Sequence, residues 1–264
     1  MTGLRSLAAV VPFRMGQAAL RLARLSDYLA IGTRRLSDMR DDSRRTWQAF
    51  YDTHPSHDSR LMPWETDFVD RFVGRDDEVL LIGCGSGRDL VPLVERGCHV
   101  TGIDPVRCSL DLARRTLEDR GLTASLIEGF IEEASIPGPF DAVIFSYYCY
   151  STIPQSARRV AMLHKAASVL NPGGHIVLSV GSNTPRPRAL LVGVGRLSAA
   201  LCRSDWRLEP GDLVWNNHQS DPSYSYTHVF EDGEIEREAA AAHLSVAYRR
   251  ASSDNTIVTV LARS

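Results

Sequence analysis

The chain has 264 residues, of which 44% are hydrophobic and 23% are charged, and its net charge at pH 7 is −2. This composition is typical of a globular protein that folds around an apolar core, and the near-neutral charge excludes a strong general attraction to nucleic acid. The five cysteines are odd in number and form no CxxC pair, which argues against a zinc site and a disulfide framework. We therefore expect a reducing, cytoplasmic compartment, and the lack of an 18-residue apolar run predicts no membrane-spanning helix.

The first 37 residues differ from the rest in charge, since they carry a net +5 against −7 for the remainder. Apolar residues at alternating spacings of three and four mark one helical face, and proline suits a first turn, so we expect a helix that begins at Pro12. This helix packs on the core or covers the active site, or it contacts a membrane surface or a partner, and disorder of the segment is the remaining alternative. The residues of the predicted face are Met15, Ala18, Leu22, Leu25 and Leu29.

Residues 43–73 predict two further helices joined by a polar link at 53–60. With the first helix they would form an N-terminal helical extension or lid over residues 1–75. Four side chains of this region are candidates to face a pocket, although core packing or exposure is the ordinary fate of such residues. They are Tyr51, His54, His57 and Trp64.

The centre of the chain alternates apolar strands with helical segments, which is typical of a parallel sheet with right-handed crossovers. In such a sheet the ligand lies at the carboxyl ends of the strands. Strands are expected at 79–82, 98–103, 123–127, 141–146 and 174–180, and helices at 86–96, 106–120 and 155–169.

A glycine loop follows the first of these strands. Gly83, Gly85 and Gly87 allow a tight turn and a close approach of backbone N–H groups to a ligand, and Ser86 is a candidate cap for the next helix. No Gly-Lys-Ser/Thr follows, which excludes a P-loop. The sixth position from Gly83 is Arg88, so the dinucleotide pattern of glycines at positions one, three and six also fails.

An acid ends the second predicted strand. Asp104 follows Gly83 by 21 residues, where a carboxylate can accept two hydrogen bonds from a ribose diol. The alternative is an aspartate that caps the next helix, because Pro105 suits a first helical turn. Strand, glycines and acid together favour the ribose contact.

These residues resemble those of the class I S-adenosylmethionine-dependent methyltransferases, from about residue 76 to 182 and at the C-terminal end. Four motifs occur in the family's order. They are Gly83-Cys84-Gly85-Ser86-Gly87, Gly102-Ile103-Asp104, Phe140-Asp141-Ala142-Val143-Ile144-Phe145 and Leu170-Asn171-Pro172-Gly173-Gly174-His175-Ile176-Val177-Leu178.

The resemblance implies S-adenosylmethionine as the cofactor and a set of residues around it. Ser146 would lie near the sulfonium and the substrate. Two positions depart from the family, since Leu81 and Phe130 stand where an acid is usual. The implied cofactor-binding residues are Gly83, Cys84, Gly85, Gly87, Asp104, Pro105, Gly129, Phe130, Ile131 and Ser146.

After Gly181 the strand–helix rhythm breaks. An aromatic-rich insertion at 183–230, with a helix near 188–201, stands where the family builds a substrate cap. Trp206 and Trp215 are candidate pocket walls, and a small satellite core is the alternative.

The rest of the chain, 231–264, predicts a helix at 231–243 and a closing strand pair at 245–250 and 255–262, which completes the core at 76–182. The fold expected is therefore α/β. It is a Rossmann-like, seven-stranded, mostly parallel sheet with an antiparallel last strand, flanked by helices, with N-terminal helices and a cap insertion.

The segment after the fourth strand bears on the methyl acceptor. Methyltransferases that act on nucleobase or amide nitrogen often carry paired prolines there, and the stretch 146–151 has none. We therefore expect a small organic acceptor, most simply at oxygen, with no nucleic acid and no metal. Tyr147 and Tyr150 would orient it. The catalytic candidates are Tyr147 and, as bases, His218 and His228, because histidine titrates near neutrality.

Two alternatives stay open at this point. The basic N-terminal helix suggests a methyltransferase that acts on a lipid or glycolipid at a membrane surface. The departures at Leu81 and Phe130 suggest a protein that binds S-adenosylmethionine for regulation without methyl transfer.

Overall fold

A computed structural model describes residues 2–54, 58–182, 184–216 and 223–264. The chain divides into two compact units. The first combines Met1–Ser43 with Arg186–Tyr226, and the second combines Arg44–Pro185 with Thr227–Ser264. The predicted extension over 1–75 is therefore shared between the two units, and most of the predicted cap lies in the first.

The second unit is built on a seven-stranded sheet. Strands β1 to β5 are mutually parallel, β9 is antiparallel to β5, and β8 is antiparallel to β9, in the order β3-β2-β1-β4-β5-β9-β8. This confirms the predicted fold class. The strands are β1 (Glu78–Ile82), β2 (His99–Asp104), β3 (Ser125–Glu128), β4 (Phe140–Phe145), β5 (Leu170–Gly181), β8 (Leu244–Ala251) and β9 (Thr256–Arg263).

Both faces of the sheet are buried. Leu80 and Ile82 of β1 belong to one apolar cluster, while Val79 and Leu81 belong to another, as the two-residue period of a strand requires. Helices provide the other side of each cluster. They are α3 (Pro63–Phe72), α4 (Leu90–Glu95), α5 (Arg107–Asp119), α6 (Ser156–Ser168) and α8 (Glu234–Ala241).

Two predicted helix starts are wrong for the same physical reason. The helix expected from 86 begins only at Leu90, and Ser86 does not cap it, because Gly85 and Gly87 have φ values of +51° and +91° that no α-helix contains. Likewise α8 begins at Glu234, after Gly233 with φ +76°. The loop after β1 therefore extends through Asp89.

The first unit is mainly helical. It holds α1 (Thr2–Thr33), the first part of α2 (Leu36–Thr53), α7 (Ala189–Leu201), and a two-stranded sheet of β6 (Asp212–Asn216) and β7 (Tyr224–His228), of which the last two residues belong to the second unit. Helix α1 does not begin at Pro12 as predicted but runs through it, although an interior proline removes an N–H donor and its ring crowds the carbonyl four residues earlier.

The core of the first unit uses a different face of α1 from the predicted one. Tyr28 and Ile31 are buried, and Gly32 brings α1 so close to α7 that a Cβ there would lie 2.8 Å from Ser198 Cβ. The predicted row is exposed apart from the half-buried Leu25. Among the described residues, no helix combines the length and apolarity that crossing a membrane requires.

Candidate active site at the carboxyl edge of the sheet

The glycine loop rests against the end of β2. The N–H groups of Gly83 and Cys84 donate to Ile103 O at 2.8 and 3.2 Å, and Gly85 N–H donates to Asp104 Oδ2 at 3.0 Å. The side chain of Cys84 is buried, with its Sγ packed against Gly102 of β2. Cys84 therefore contributes its backbone to the loop surface. The structure therefore brings the predicted glycines and the predicted acid into direct contact.

Asp104 is held in one orientation. Its Oδ1 accepts hydrogen bonds from Val106 N–H at 2.9 Å and from Ser109 Oγ at 3.1 Å. Burial raises the pKa of Asp104, although these donors and Gly85 N–H act in the opposite direction. A carboxylate offers about four lone-pair sites, so the three bonds leave acceptor capacity for a ligand. The ribose contact of Asp104 remains a prediction.

The end of β3 adds the next part of the site. Gly129 N–H donates to Asp104 O at 3.0 Å, and a Cβ on Gly129 would meet no atom of the described residues within 4 Å, so these residues leave open space beside it. The guanidinium of Arg44 lies 4.7 Å from the centre of the Phe130 ring. Ile131 is buried and Pro105 is half-buried beside this strand end, where the family resemblance expects the adenine ring.

The last turns of α2 reach the glycine loop. The hydroxyl of Tyr51 lies directly against Gly85, where a Cβ would collide with it, and it receives a hydrogen bond from Ser86 N–H. Burial and the charge of Asp104 raise the pKa of Tyr51. Tyr51 thus lies beside the glycine loop, and its contact with a ligand stays a prediction. His54 is exposed, whereas His57 lies outside the described residues.

Strand β4 ends beside the glycine loop. Ser146 N–H donates to Ile82 O at 2.9 Å, and Ser146 Oγ donates to Asp89 Oδ2 at 2.5 Å. Both residues are buried, with exposed fractions of 8% for Ser146 and 4% for Asp89. The pair places a carboxylate one hydrogen bond from the strand end where the acceptor is expected.

The surroundings of Asp89 explain its protonation behaviour. Burial and, to a lesser degree, the charge of Glu65 raise the pKa of Asp89 to about 6, while Arg88 and the Ser146 hydrogen bond act in the opposite direction. Arg88 is itself paired with Glu65 through two bonds of 2.6 Å. Leu81 lines a narrow cavity with Asp89 and Ser146, so the apolar residue that replaces the family's usual acid contributes to this desolvation.

Tyr147 lies at the same edge with half of its side chain exposed. Its ring stacks on Tyr148 at 4.5 Å between centroids, and the Arg88 guanidinium lies 5.8 Å from its centre. Tyr148 has φ +56° and hydrogen-bonds Thr256 Oγ1 at 2.7 Å, which fixes the stack. Tyr147 therefore offers an accessible aromatic surface beside a cation.

Tyr150 and His228 do not occupy the places predicted for them. Tyr150 is fully buried and donates to Glu238 at 2.7 Å, within a network that includes the buried Arg159. His228 is 2% exposed and its Nε2 lies 2.8 Å from Glu234 Oε1. Because neither side chain has surface for an acceptor, we assign both to the packing of α6 and α8 rather than to substrate binding or catalysis.

The predicted cap residues have three different outcomes. Trp206 belongs to the core of the first unit, where it is 1% exposed and its indole N–H donates to Arg34 O at 2.9 Å, so it walls no pocket. Trp215 is partly exposed on β6, and its substrate role stays a prediction. His218 lies outside the described residues.

Sequence reasoning missed Asp89 and its partner Glu65. The sequence did contain a signal. An acid stands two residues after the last loop glycine, and a serine stands directly after β4. The strands that precede these two residues are neighbours in a Rossmann-like sheet. Glu65 also accepts from Met62 N–H at 2.7 Å, a spacing typical of a helix start.

Known proteins resemble the central part of the chain. Residues 79–174 match the family model described as "Methyltransferase domain". The ubiquinone biosynthesis O-methyltransferase of Dechloromonas aromatica is 28% identical over 147 residues, which cover 54% of this chain and 61% of that protein. The cypemycin N-terminal methyltransferase of a Streptomyces species is 32% identical over 96 residues, which cover 36% of this chain and 38% of that protein.

A solved structure extends the likeness over most of the fold. An S-adenosylmethionine-dependent methyltransferase from Clostridium acetobutylicum superposes with a TM-score of 0.60 at 12% identity, over 83% of this chain and 98% of that one. The chain spans less than two thirds of the length of the curated relatives described above. Residues 79–174 therefore form a methyltransferase domain of the class I, Rossmann-like type, as the four motifs indicate.

Proposed function

We propose that this protein transfers the methyl group of S-adenosylmethionine to a hydroxyl oxygen of a small organic molecule. The observation that carries the proposal is the hydrogen bond from Ser146 Oγ to Asp89 at the carboxyl edge of the sheet. The relative from Dechloromonas aromatica, which is described as an O-methyltransferase, lends it support.

The residues around the glycine loop fit the cofactor. Gly83 and Gly85 have positive φ and carry no Cβ, Asp104 has acceptor capacity beyond its three protein donors, and the space beside Gly129 is open. These residues would hold the nucleoside and the methionine part. When bound, S-adenosylmethionine supplies an already activated methyl group, so the task of the protein is to align the acceptor and to exclude water.

An oxygen acceptor also has to lose its proton as the new C–O bond forms. An acceptor hydroxyl against Ser146 would pass its proton to Ser146 Oγ while Ser146 passes its own to Asp89. The proton is then on the Asp89 carboxylate and leaves to solvent after turnover. A carboxyl group with a pKa of about 6 accepts a proton near neutral pH far better than an ordinary aspartate does.

The edge of the site favours an aromatic acceptor. The exposed ring of Tyr147 provides a stacking surface, and the Arg88 guanidinium beside it would stabilise a phenolate. We therefore infer a phenol or catechol as the class of substrate. A simple alkyl alcohol, with its much higher pKa, would gain less from Asp89.

The test is incubation of the full chain with methyl-labelled S-adenosylmethionine and a panel of phenols, catechols and alkyl amines. We expect label on phenolic oxygen, a rate about 10²-fold lower in Asp89→Asn, and no change in the matched control Asp111→Asn, whose acid is half-buried on α5. Label on amine nitrogen, or an Asp89→Asn rate equal to the wild-type rate, would contradict the proposal. Tight cofactor binding with no product at all would favour the regulatory alternative instead.

A further inference from the structure

We propose that the first unit carries a surface that lies on an anionic lipid bilayer. The surface, here called the amphiphilic face, consists of exposed residues on α1 and α7. On α1 they are Met15, Leu22 and Leu29, which stand seven residues apart and form one row, and on α7 they are Leu190, Leu197 and Leu201. Leu201 is 76% exposed and Leu22 is 67% exposed, values far from those of a core.

These apolar side chains are not needed to hold the two helices together. Helix α1 packs on α7 through Gly32, which meets Gly195 and Ser198, and Ser198 Oγ donates to Leu29 O at 2.7 Å. On α7 the residues Leu190, Leu197 and Leu201 follow a spacing of seven and four, which forms one stripe. The stripe is separate from the buried side of α7, which includes Val192 and Ala199.

The two segments that carry most of the amphiphilic face are rich in arginine and contain no acid. Residues 12–26 and 184–204 contain seven arginines and no lysine, aspartate or glutamate. The first unit carries a net +4 in a chain of net −2, so the second unit carries −6. All seven arginines are exposed, and they are Arg14, Arg21, Arg24, Arg186, Arg188, Arg196 and Arg203.

The positive charge of these segments favours an anionic bilayer over a second copy of the chain as the binding partner of the face. A second copy placed face to face would bring two sets of seven arginines together without an acid in either segment, which repels. An anionic bilayer accommodates both the arginines and the exposed leucines. Lipid phosphates attract the arginines, while the leucines enter the boundary between the headgroups and the acyl chains. Since no described helix can span, the contact is interfacial.

The test is co-sedimentation of the full chain with vesicles of phosphatidylcholine alone or with about one third phosphatidylglycerol. We expect binding only to the anionic vesicles, and weaker binding as salt increases. The double charge reversal Arg21→Glu with Arg24→Glu should lower the partition coefficient at least about tenfold. The matched control, Arg114→Glu with Arg115→Glu, reverses two exposed arginines on α5 and should bind as the wild type does.

A second variant tests the apolar half of the face. Leu197→Glu with Leu201→Glu should abolish vesicle binding while the thermal midpoint and the affinity for S-adenosylmethionine stay at wild-type values, because both leucines are exposed. Equal vesicle binding by the wild type and both variants would overturn the proposal. The absence of vesicle binding by the wild type would overturn it too. If the wild type is a dimer in sedimentation equilibrium and the variant Leu197→Glu with Leu201→Glu is a monomer, the face belongs to a second copy and the proposal is wrong.

Discussion

Ser146 Oγ donates a 2.5 Å hydrogen bond to Oδ2 of Asp89, and this bond joins the end of β4 to the loop after β1. The two residues are 57 positions apart in the chain. In the second unit, the bond links the strand end where an acceptor is expected to a carboxyl group whose pKa is raised by burial to about 6. The proposed proton transfer depends on this bond.

Removal of the Ser146 hydroxyl should change the pH dependence of methyl transfer. The bond stabilises the ionised carboxylate, so Ser146→Ala should raise the pKa of Asp89 above its value of about 6. Because the ionised form accepts the proton, the rising limb of kcat against pH should move to higher pH and kcat should fall. A limb that stays in place in this variant would contradict the role of the bond.

Replacement of Asp89 should stabilise the protein as it inactivates it. The folded pKa of about 6 lies above the ordinary aspartate pKa of 3.8, so ionisation of Asp89 lowers stability as the pH rises between these values, and the loss persists above them. The asparagine of Asp89→Asn does not ionise, so this variant avoids the loss of folding stability. Urea unfolding at pH 7.5 should show a gain of about 1–3 kcal/mol, with a smaller gain at pH 5. A difference between the two proteins that is independent of pH would count against the buried charge.

The two tyrosines after β4 should respond in opposite ways. Tyr150→Phe removes a buried hydrogen bond to Glu238 and should cost about 1–2 kcal/mol of stability without changing KM for the acceptor. Tyr147→Ala removes an exposed ring and should raise KM several-fold with little loss of stability. Denaturant titrations and initial rates for both variants distinguish the roles, and an increased KM in Tyr150→Phe would restore it as a substrate residue.

Two glycines on α7 provide a matched pair for the packing of the first unit. A Cβ on Gly195 would collide with Leu208 and lie 2.9 Å from Tyr28 O, whereas a Cβ on Gly193 would meet nothing within 4 Å. Gly195→Ala should therefore cost about 1–3 kcal/mol, and Gly193→Ala should gain up to about 1 kcal/mol from helix propensity. Thermal unfolding of both variants tests this, and equal midpoints would show that α1 and α7 do not pack as described.

Local patterns were sufficient to predict the fold and the cofactor side of the site. The apolar run of β1, the alternate glycines and the acid that ends β2 lie within a stretch of 26 residues, and their placement follows from the parallel sheet. The sequence pattern does not specify the backbone conformation of the loops. The positive φ of Gly87 delays α4 to Leu90, which leaves Asp89 in the loop beside Ser146.

The substrate side was less predictable for a related reason. Tyr148 adopts φ +56°, after which a short 3₁₀ helix (Cys149–Thr152) leaves Tyr150 in the core while Tyr147 stays at the edge. Trp206 likewise belongs to the core of the first unit, and an aromatic residue in an insertion has the same sequence signature whether it walls a pocket or fills a core. Only the packed structure separates these cases.

The central claim, that the glycine loop and Asp104 bind S-adenosylmethionine, is tested most directly by calorimetric titration of the cofactor into the wild type, Asp104→Ala and the matched control Asp111→Ala. We expect micromolar binding by the wild type and the control, and a loss of about 1.5–3 kcal/mol in Asp104→Ala, roughly 10- to 150-fold in Kd, because charge-assisted hydrogen bonds are removed. Asp104→Asn, which keeps one carbonyl acceptor, should lie between them if the fold is intact. Equal affinities in all four proteins, or no binding by the wild type, would contradict the account.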